Sequence, residues 1–287
     1  MDVKATLQKY HLLAYQKLGQ NFLKDEHIAE RIVHVSGVQS TDVVLEIGTG
    51  LGILTQALAK KAAKVITFEK DKKLLVQLPF ILQTNVKIEV VPQDFLTYDL
   101  SLLQKRFQKI KVVANLPFNI STEVLFHVFK YRLWIESMTL MFQKEVAERI
   151  VSHPDTKEYG ILSVLSQLYS IPKICLSVPP HCFYPVPKVW AAVITFQMKE
   201  NIGLSPEKEK LFIKIVKTAF GQRRKTLLNS LRKFISPQLL TKIGANLEID
   251  IKRRIETFSL EEIKKMTEVL YLELGDSAGP EVLPKTL

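Results

Sequence analysis

The chain has 287 residues, enough for one large domain and a small one, and its 47% hydrophobic and 24% charged residues are ordinary values for a globular protein with a sizeable core. No stretch approaches the roughly 18 uninterrupted apolar residues of a membrane span, the amino-terminal positions hold no apolar run of the kind a secretory leader needs, and two cysteines, Cys175 and Cys182, are too few for a disulfide framework or a zinc ribbon. A net charge of +11 points to nucleic acid as partner, because Lys and Arg displace the counterions condensed on phosphates; a cytoplasmic protein with no membrane partner and no metal is expected.

Up to about residue 200, short β-rich runs alternate with helical patterns. Strands are expected over 43–47, 64–68, 87–91, 111–114, 138–142 and 189–196, and helices over 53–60, 71–82, 121–130 and 144–151. Strand followed by helix, repeated, specifies a mostly parallel sheet with helices on both faces, an α/β domain of Rossmann-like type over 1–200. The polar segment KENIGLSP at 199–206 carries both Gly and Pro and reads as a linker. Beyond it strand signals stop. Apolar residues recur at helical spacing in Leu211, Ile215, Val216 and Ala219, then Leu227, Leu228 and Leu231, then Leu260, Ile263 and Met266, so 201–287 is expected to form a smaller all-helical domain with a flexible tail from about 275.

The segment DVVLEIGTGLGILTQAL runs from an apolar strand through Glu46 into Gly48, Gly50 and Gly52 before a helical pattern resumes. In an open parallel sheet ligands sit at the carboxyl ends of the strands, and a Gly-rich first turn lets a nucleotide approach the backbone. The spacing is G-x-G-x-G, whereas the dinucleotide fingerprint would need its third glycine at Ile53, which disfavours NAD. The next strand leads to Glu69, placed to accept hydrogen bonds from both ribose hydroxyls. The third leads to Asp94, placed to accept from an adenine amine with Phe95 flanking the ring. A ligand of adenosine and methionine without pyrophosphate accounts for three acidic strand tips (Glu46, Glu69, Asp94) and for a loop without a phosphate-binding lysine.

The fourth strand ends in Asn115-Leu116-Pro117-Phe118, which resembles the N-L-P-[Y/F] form of the motif of amino methyltransferases. The chemistry asks for these residue types. An aromatic amine delocalises its lone pair into the ring; if the Asn115 side-chain oxygen and the Leu116 carbonyl accept both amine protons, the nitrogen pyramidalises and can attack a methyl group. Pro117 stiffens the turn, and Phe118 offers a face on which a flipped base can stack.

Over nearly its full length the chain resembles the KsgA-type small-subunit rRNA adenine dimethyltransferases, in LGQNFL at 18–23, QKEVAERIVSHPDTKEYGILSV at 143–164, VPPHCFYPVPKV at 178–189 and AFGQRRKTLLNSL at 219–231. The resemblance implies S-adenosyl-L-methionine held by Asn21, Leu23, Gly48, Glu69, Asp94 and Asn115, and an S-adenosylmethionine-dependent methyltransferase sheet. The substrate it implies is a pair of neighbouring adenines near the 3' end of 16S rRNA within an immature 30S subunit, each methylated twice by a monomeric enzyme. Thr49 stands where the family usually has Pro and is expected to loosen the loop, and Phe118 replaces the commoner Tyr. Phe183 is the candidate second wall of the base pocket. Arg223, Arg224, Lys225, Arg232 and Lys233 are the candidate phosphate contacts, on a helix starting near Gln222, in a run that contains no acidic residue. Erythromycin-resistance methyltransferases of the large subunit share the cradle and tetrad; GQRRKTLLNSL favours the small-subunit family. Two further rivals are an RNA-binding assembly or transcription factor with a methyltransferase fold and a DNA adenine methyltransferase. The intact Asn115, Asp94 and Glu69 count against the first, and the lack of a target-recognition insertion against the second.

Overall fold

The computed structural model describes residues 3–12, 21–83 and 85–275. In chain order the elements are α1 (Val3–Lys9), β1 (Phe22–Leu23), α2 (Glu26–Val35), β2 (Val43–Ile47), α3 (Ile53–Lys61), β3 (Lys64–Phe68), α4 (Lys72–Leu82), β4 (Ile88–Val91), α5 (Ser101–Gln104), β5 (Ile110–Asn115), α6 (Ser121–Phe129), β6 (Ile135–Gln143), α7 (Lys144–Val151), α8 (Ile161–Tyr169), β7 (Ser170–Val178), β8 (Phe183–Tyr184), β9 (Ala191–Met198), α9 (Pro206–Phe220), α10 (Leu227–Leu231), α11 (Pro237–Asn246) and α12 (Leu260–Leu274). The start of the LGQNFL block, 18–20, and the tail beyond 275 lie outside the described residues.

Seven strands form one sheet in the order β4-β3-β2-β5-β6-β9-β7. β4, β3, β2, β5 and β6 pair in parallel, and β9 runs antiparallel to β6 with Gln143 opposite Ala191. The central strands are buried along almost their whole length, as a sheet covered on both faces requires: VVLEI of β2 and IKVVAN of β5 are nearly continuous apolar runs. All six expected strands are present. β7 is additional. Its SIPKICLSV run carries Pro172 and sits at the sheet edge, the position where a strand tolerates proline. The second addition is a two-stranded pairing of β1 with β8, Leu23 opposite Phe183.

Contacts divide the chain into two compact units, one of residues 1–147 and 171–198, the other of Glu148–Ser170 with residues from Lys199 onward. The expected boundary at 200 therefore misses an excursion. Residues 148–170 leave the sheet domain and pack with the carboxyl-terminal helices: the Tyr159 hydroxyl donates to the Phe258 carbonyl at 3.2 Å, the Tyr169 hydroxyl to Glu209 at 2.8 Å, and Lys199 Nζ to the Gln167 carbonyl at 2.7 Å. The helical unit is well capped. Ser205 and Pro206 start α9, and Ser259 with Glu262 forms a reciprocal capping box on α12.

Candidate active site

Each parallel strand delivers its functional residue at its carboxyl end, and these ends surround a cleft with about 990 Å³ of empty space, mouth included. All the residues expected to hold the cofactor, Asn21, Leu23, Gly48, Gly50, Glu69, Asp94 and Asn115, line it, together with Leu116 and Pro117. The loop after β2 is fixed by Gly48 and Thr49, whose N–H groups donate to the Phe68 carbonyl at 2.9 and 3.1 Å. Gly48 (φ 84°) and Gly50 (φ 55°) lie in the left-handed region, and a Cβ on Gly50 would stand 3.2 Å from the Phe22 ring.

Glu69 is buried, and its carboxylate accepts from Gly50 N at 3.0 Å and from Lys70 N and Asp71 N at 2.9 Å each. Burial raises its pKa, against the lowering effect of these three bonds. Three of its roughly four acceptor sites are thus taken by backbone, which leaves one on Oε2 where two ribose contacts were expected. Asp94 uses Oδ1 to cap Leu96 N at 3.1 Å and Oδ2 to hold Lys70 Nζ at 3.0 Å. Phe95 lines the cleft but is buried, edge-on to Phe68 at 5.3 Å.

Glu46, expected as one of three acidic strand tips facing the ligand, is instead held inside the fold. It is 1% exposed, and Oε2 accepts the hydroxyls of Thr55 at 2.6 Å and Thr67 at 2.7 Å. Burial pushes its pKa up to about 8. Because the Thr67 proton goes to Glu46, the Thr49 hydroxyl 2.8 Å away must donate to Thr67. Thr49 is therefore a tether rather than a source of looseness, and it stiffens the loop by a hydrogen-bonded relay in place of a proline ring. Sequence reading missed Thr49, Thr55 and Thr67 as a set, since only the parallel register of β2 on β3, Glu46 opposite Thr67, brings them together. Lys70 was missed too, although its place directly after Glu69 was a signal.

Asn115 is the last residue of β5. Its Nδ2 donates to the Asn21 carbonyl at 3.4 Å, which turns the amide so that Oδ1 is the acceptor left over. The tetrad itself is a turn, with Ile120 N donating to the Pro117 carbonyl at 3.2 Å and the Ser121 hydroxyl to the Phe118 carbonyl at 3.2 Å. The Leu116 carbonyl has no intramolecular partner among the described residues, while its side chain is buried. Phe118 is half-buried and Phe183 fully buried, their rings edge-on with centroids 6.4 Å apart. Phe183 does not form a pocket wall. It packs behind Phe118 because its strand β8 pairs β1 and turns the ring into the core.

In the helical unit the basic cluster is not on one helix. α9 ends at Phe220, the chain turns, and Thr226 caps a new helix, α10, through Asn229 N at 3.3 Å. Arg223 is engaged: its guanidinium donates to the carbonyls of Lys157 at 2.8 Å and Thr156 at 3.2 Å and lies 3.8 Å from Glu256. The missing acidic partner was simply distant in sequence. Arg224, Lys225, Arg232 and Lys233 are exposed, and no acidic group is within ion-pair distance of them among the described residues. The nearby Arg253 is also structural, bound to Glu262 at 2.9 Å and stacked 4.2 Å from the Phe258 ring centroid. No helix among the described residues is long and apolar enough to cross a membrane.

The family model for ribosomal RNA adenine dimethylase matches residues 12–271. Ribosomal RNA small subunit methyltransferase A of Alkaliphilus oremlandii is 41% identical over 265 residues, 90% of this chain and 92% of that one. The protein of the same name from Desulforapulum autotrophicum is 41% identical over 270 residues, 92% of this chain and 95% of that one. Among solved structures, a dimethyladenosine transferase from Plasmodium falciparum superposes with a TM-score of 0.75 at 24% identity, covering 88% of this chain and 97% of its own, and the 23S rRNA methyltransferase ErmE with 0.66 at 24%, covering 86% and 98%; both show the shared Rossmann-like fold. The chain belongs to the ribosomal RNA adenine dimethylase family.

Proposed function

We propose that this methyltransferase uses S-adenosyl-L-methionine to dimethylate the exocyclic amines of two adjacent adenines near the 3' end of 16S rRNA in an immature 30S subunit, working as a cytoplasmic monomer. The observation that carries the reading is the cleft at Asn115, where one amide oxygen and one backbone carbonyl are left as acceptors beside the nucleoside cradle.

The cleft fits the cofactor by charge. Its lining holds Glu69, Asp71 and Asp94 against one lysine, and Lys70 is spent on Asp94. That suits a nucleoside bearing a cationic sulfur and no phosphate. Glu69 Oε2 would take a ribose hydroxyl, Asp94 the adenine side, and Asn21, Leu23 and the Gly48–Gly50 backbone the remainder. When bound, the cofactor supplies a methyl group on positively charged sulfur.

The chain's own residues orient the acceptor. Asn115 Oδ1 and the Leu116 carbonyl accept the two amine protons, which localises the nitrogen lone pair toward the methyl carbon. Held this way, the acceptor nitrogen would take the methyl group from the cofactor, whose sulfur would keep the electron pair of the broken bond, and would then give up a proton to water. Phe118, backed by Phe183, offers the stacking face for the flipped base. Arg224, Lys225, Arg232 and Lys233 are the proposed phosphate contacts; Arg223 does not belong with them, because its donors are committed within the fold. Mass spectrometry of 16S rRNA from cells lacking the gene tests the reading: the 3'-end adenines should lose their methyl groups, and purified protein should restore them on isolated subunits. Full methylation in the deletion strain refutes it.

A further inference from the structure

We propose that Trp190, with Val186, Lys188 and Val189, is a stacking platform for a nucleotide flanking the target adenine; the proposal rests on the methyltransferase reading above and names a substrate contact outside its cleft. The segment between β8 and β9 is unusual in what it exposes. Val186 is 60%, Val189 43% and Trp190 49% exposed, and Lys188 is exposed among them. An apolar, aromatic stretch left in solvent marks an interaction surface. No aromatic ring or acidic side chain engages Trp190 or Lys188 among the described residues. An open indole beside an unpaired lysine is the pairing that single-stranded nucleic acid selects, base on ring and phosphate on cation; an apolar protein partner would leave the lysine to be desolvated without recompense.

Sheet register gives the location. Asn115 is opposite Met141, and Met141 is opposite Val193. β6 continues to Gln143, which pairs with Ala191, so Trp190 stands just beyond the carboxyl edge of β6, on the same edge as the catalytic turn. Two strand spacings sideways and three residues along put it about 14 Å from Asn115, a gap that a few nucleotides of extended strand span. The segment is pinned at both ends. Tyr184 pairs with Phe22, which lines the cleft, and the Trp190 carbonyl accepts Lys144 N at 2.8 Å. A strand whose adenine enters the cleft would thus meet a fixed ring as it leaves.

The chain has two tryptophans, and the other, Trp134, is 5% exposed with Nε1 bonded to the Phe107 carbonyl at 2.8 Å. Trp134 is a shielded reference, so intrinsic fluorescence reads Trp190. The test titrates the full chain with a short single-stranded oligoribonucleotide containing adjacent adenines, following emission and the anisotropy of labelled RNA in parallel. Stacking predicts quenching of the acrylamide-accessible emission as RNA binds. It also predicts affinity about tenfold to a hundredfold weaker in Trp190→Leu and near-native affinity in Trp190→Phe, with unchanged S-adenosylmethionine binding in both variants as the check on folding. RNA bound without quenching, or Trp190→Leu binding RNA as the native chain does, overturns the platform and assigns the patch to an apolar protein partner, while methyl transfer by the native chain would still stand. If the native chain neither binds RNA nor transfers methyl, the functional reading itself falls and the platform with it.

Discussion

The cleft at the sheet edge and the basic turn of the helical unit treat charge in opposite ways. In the cleft nearly every acidic side chain is already committed: Glu69 to three backbone N–H groups, Asp94 to Lys70, and the buried Glu46 to two threonines. Around α10 Arg223 and Arg253 are committed, whereas Arg224, Lys225, Arg232 and Lys233 stand in solvent. A site that must hold one small molecule in one pose gains from acceptors fixed before the ligand arrives. A surface that tracks a phosphate backbone gains from mobile charges whose contribution is counterion release.

The sharpest way to break this comparison is at Asn115. Asn115→Ala should lower single-turnover methyl transfer by roughly a hundredfold or more, with RNA affinity nearly unchanged, because an oriented acceptor is lost while phosphate contacts persist. A fully active variant would show that the fixed acceptor is unnecessary. Phe118→Tyr should be nearly neutral in the same assay.

Next in size is Glu69→Ala. Calorimetric titration should find S-adenosylmethionine binding weaker by about 1–3 kcal/mol, the scale of a lost hydrogen bond to a charged group. Since the same carboxylate holds Gly50, Lys70 and Asp71, a loss of thermal stability should accompany it. Lost affinity with unchanged stability would mean that the carboxylate does not pre-organise the loop.

A pH titration probes the buried brace. Glu46 is pushed up to about 8 in the fold by burial, above its ordinary value of 4.5, so folding favours its protonated form. Its contribution is intact below about 4.5 and is lost as pH rises through about 8, after which it is constant. Tm should therefore fall by a few degrees across that window, and Glu46→Gln should remove this part of the pH dependence. A Tm profile identical in the two proteins would exclude a buried proton.

The smallest effects sort the basic cluster. Arg224→Glu and Lys225→Glu should each flatten the salt dependence of subunit binding by just under about one unit without changing Tm. Arg223→Ala should lower Tm and leave the slope almost alone, since its donors hold the 156–157 turn. Equal salt slopes for all three variants would erase the distinction between committed and open charge.

Much of this organisation was legible in the sequence, for a physical reason. Strands such as VVLEI and KVVAN are buried on both faces, so they appear as apolar runs with no ambiguity of period, and function collects at their ends. Legibility failed where long-range pairing decides. Pro172 disguised β7, which survives because it is an edge. Phe183 looks like a pocket aromatic until β1 pairs with β8 and turns it inward. The helix expected from Gln222 gave way to a turn because Arg223 is drawn to carbonyls more than sixty residues upstream and Thr226 restarts the helix.

The excursion of Glu148–Ser170 has a consequence for synthesis. Tyr159, Leu162, Leu165 and Leu168 are almost completely buried in the finished protein, yet the helices α9 and α12 that pack with α8 are made later. At about 5–20 residues per second, the nascent chain carries that oily face for several seconds before α12 is complete. A version cut at residue 200 would carry it permanently. It should therefore aggregate, whereas one that also replaces 148–170 by a short linker from β6 to β7 should yield a free-standing catalytic domain, with light scattering of the two proteins telling them apart.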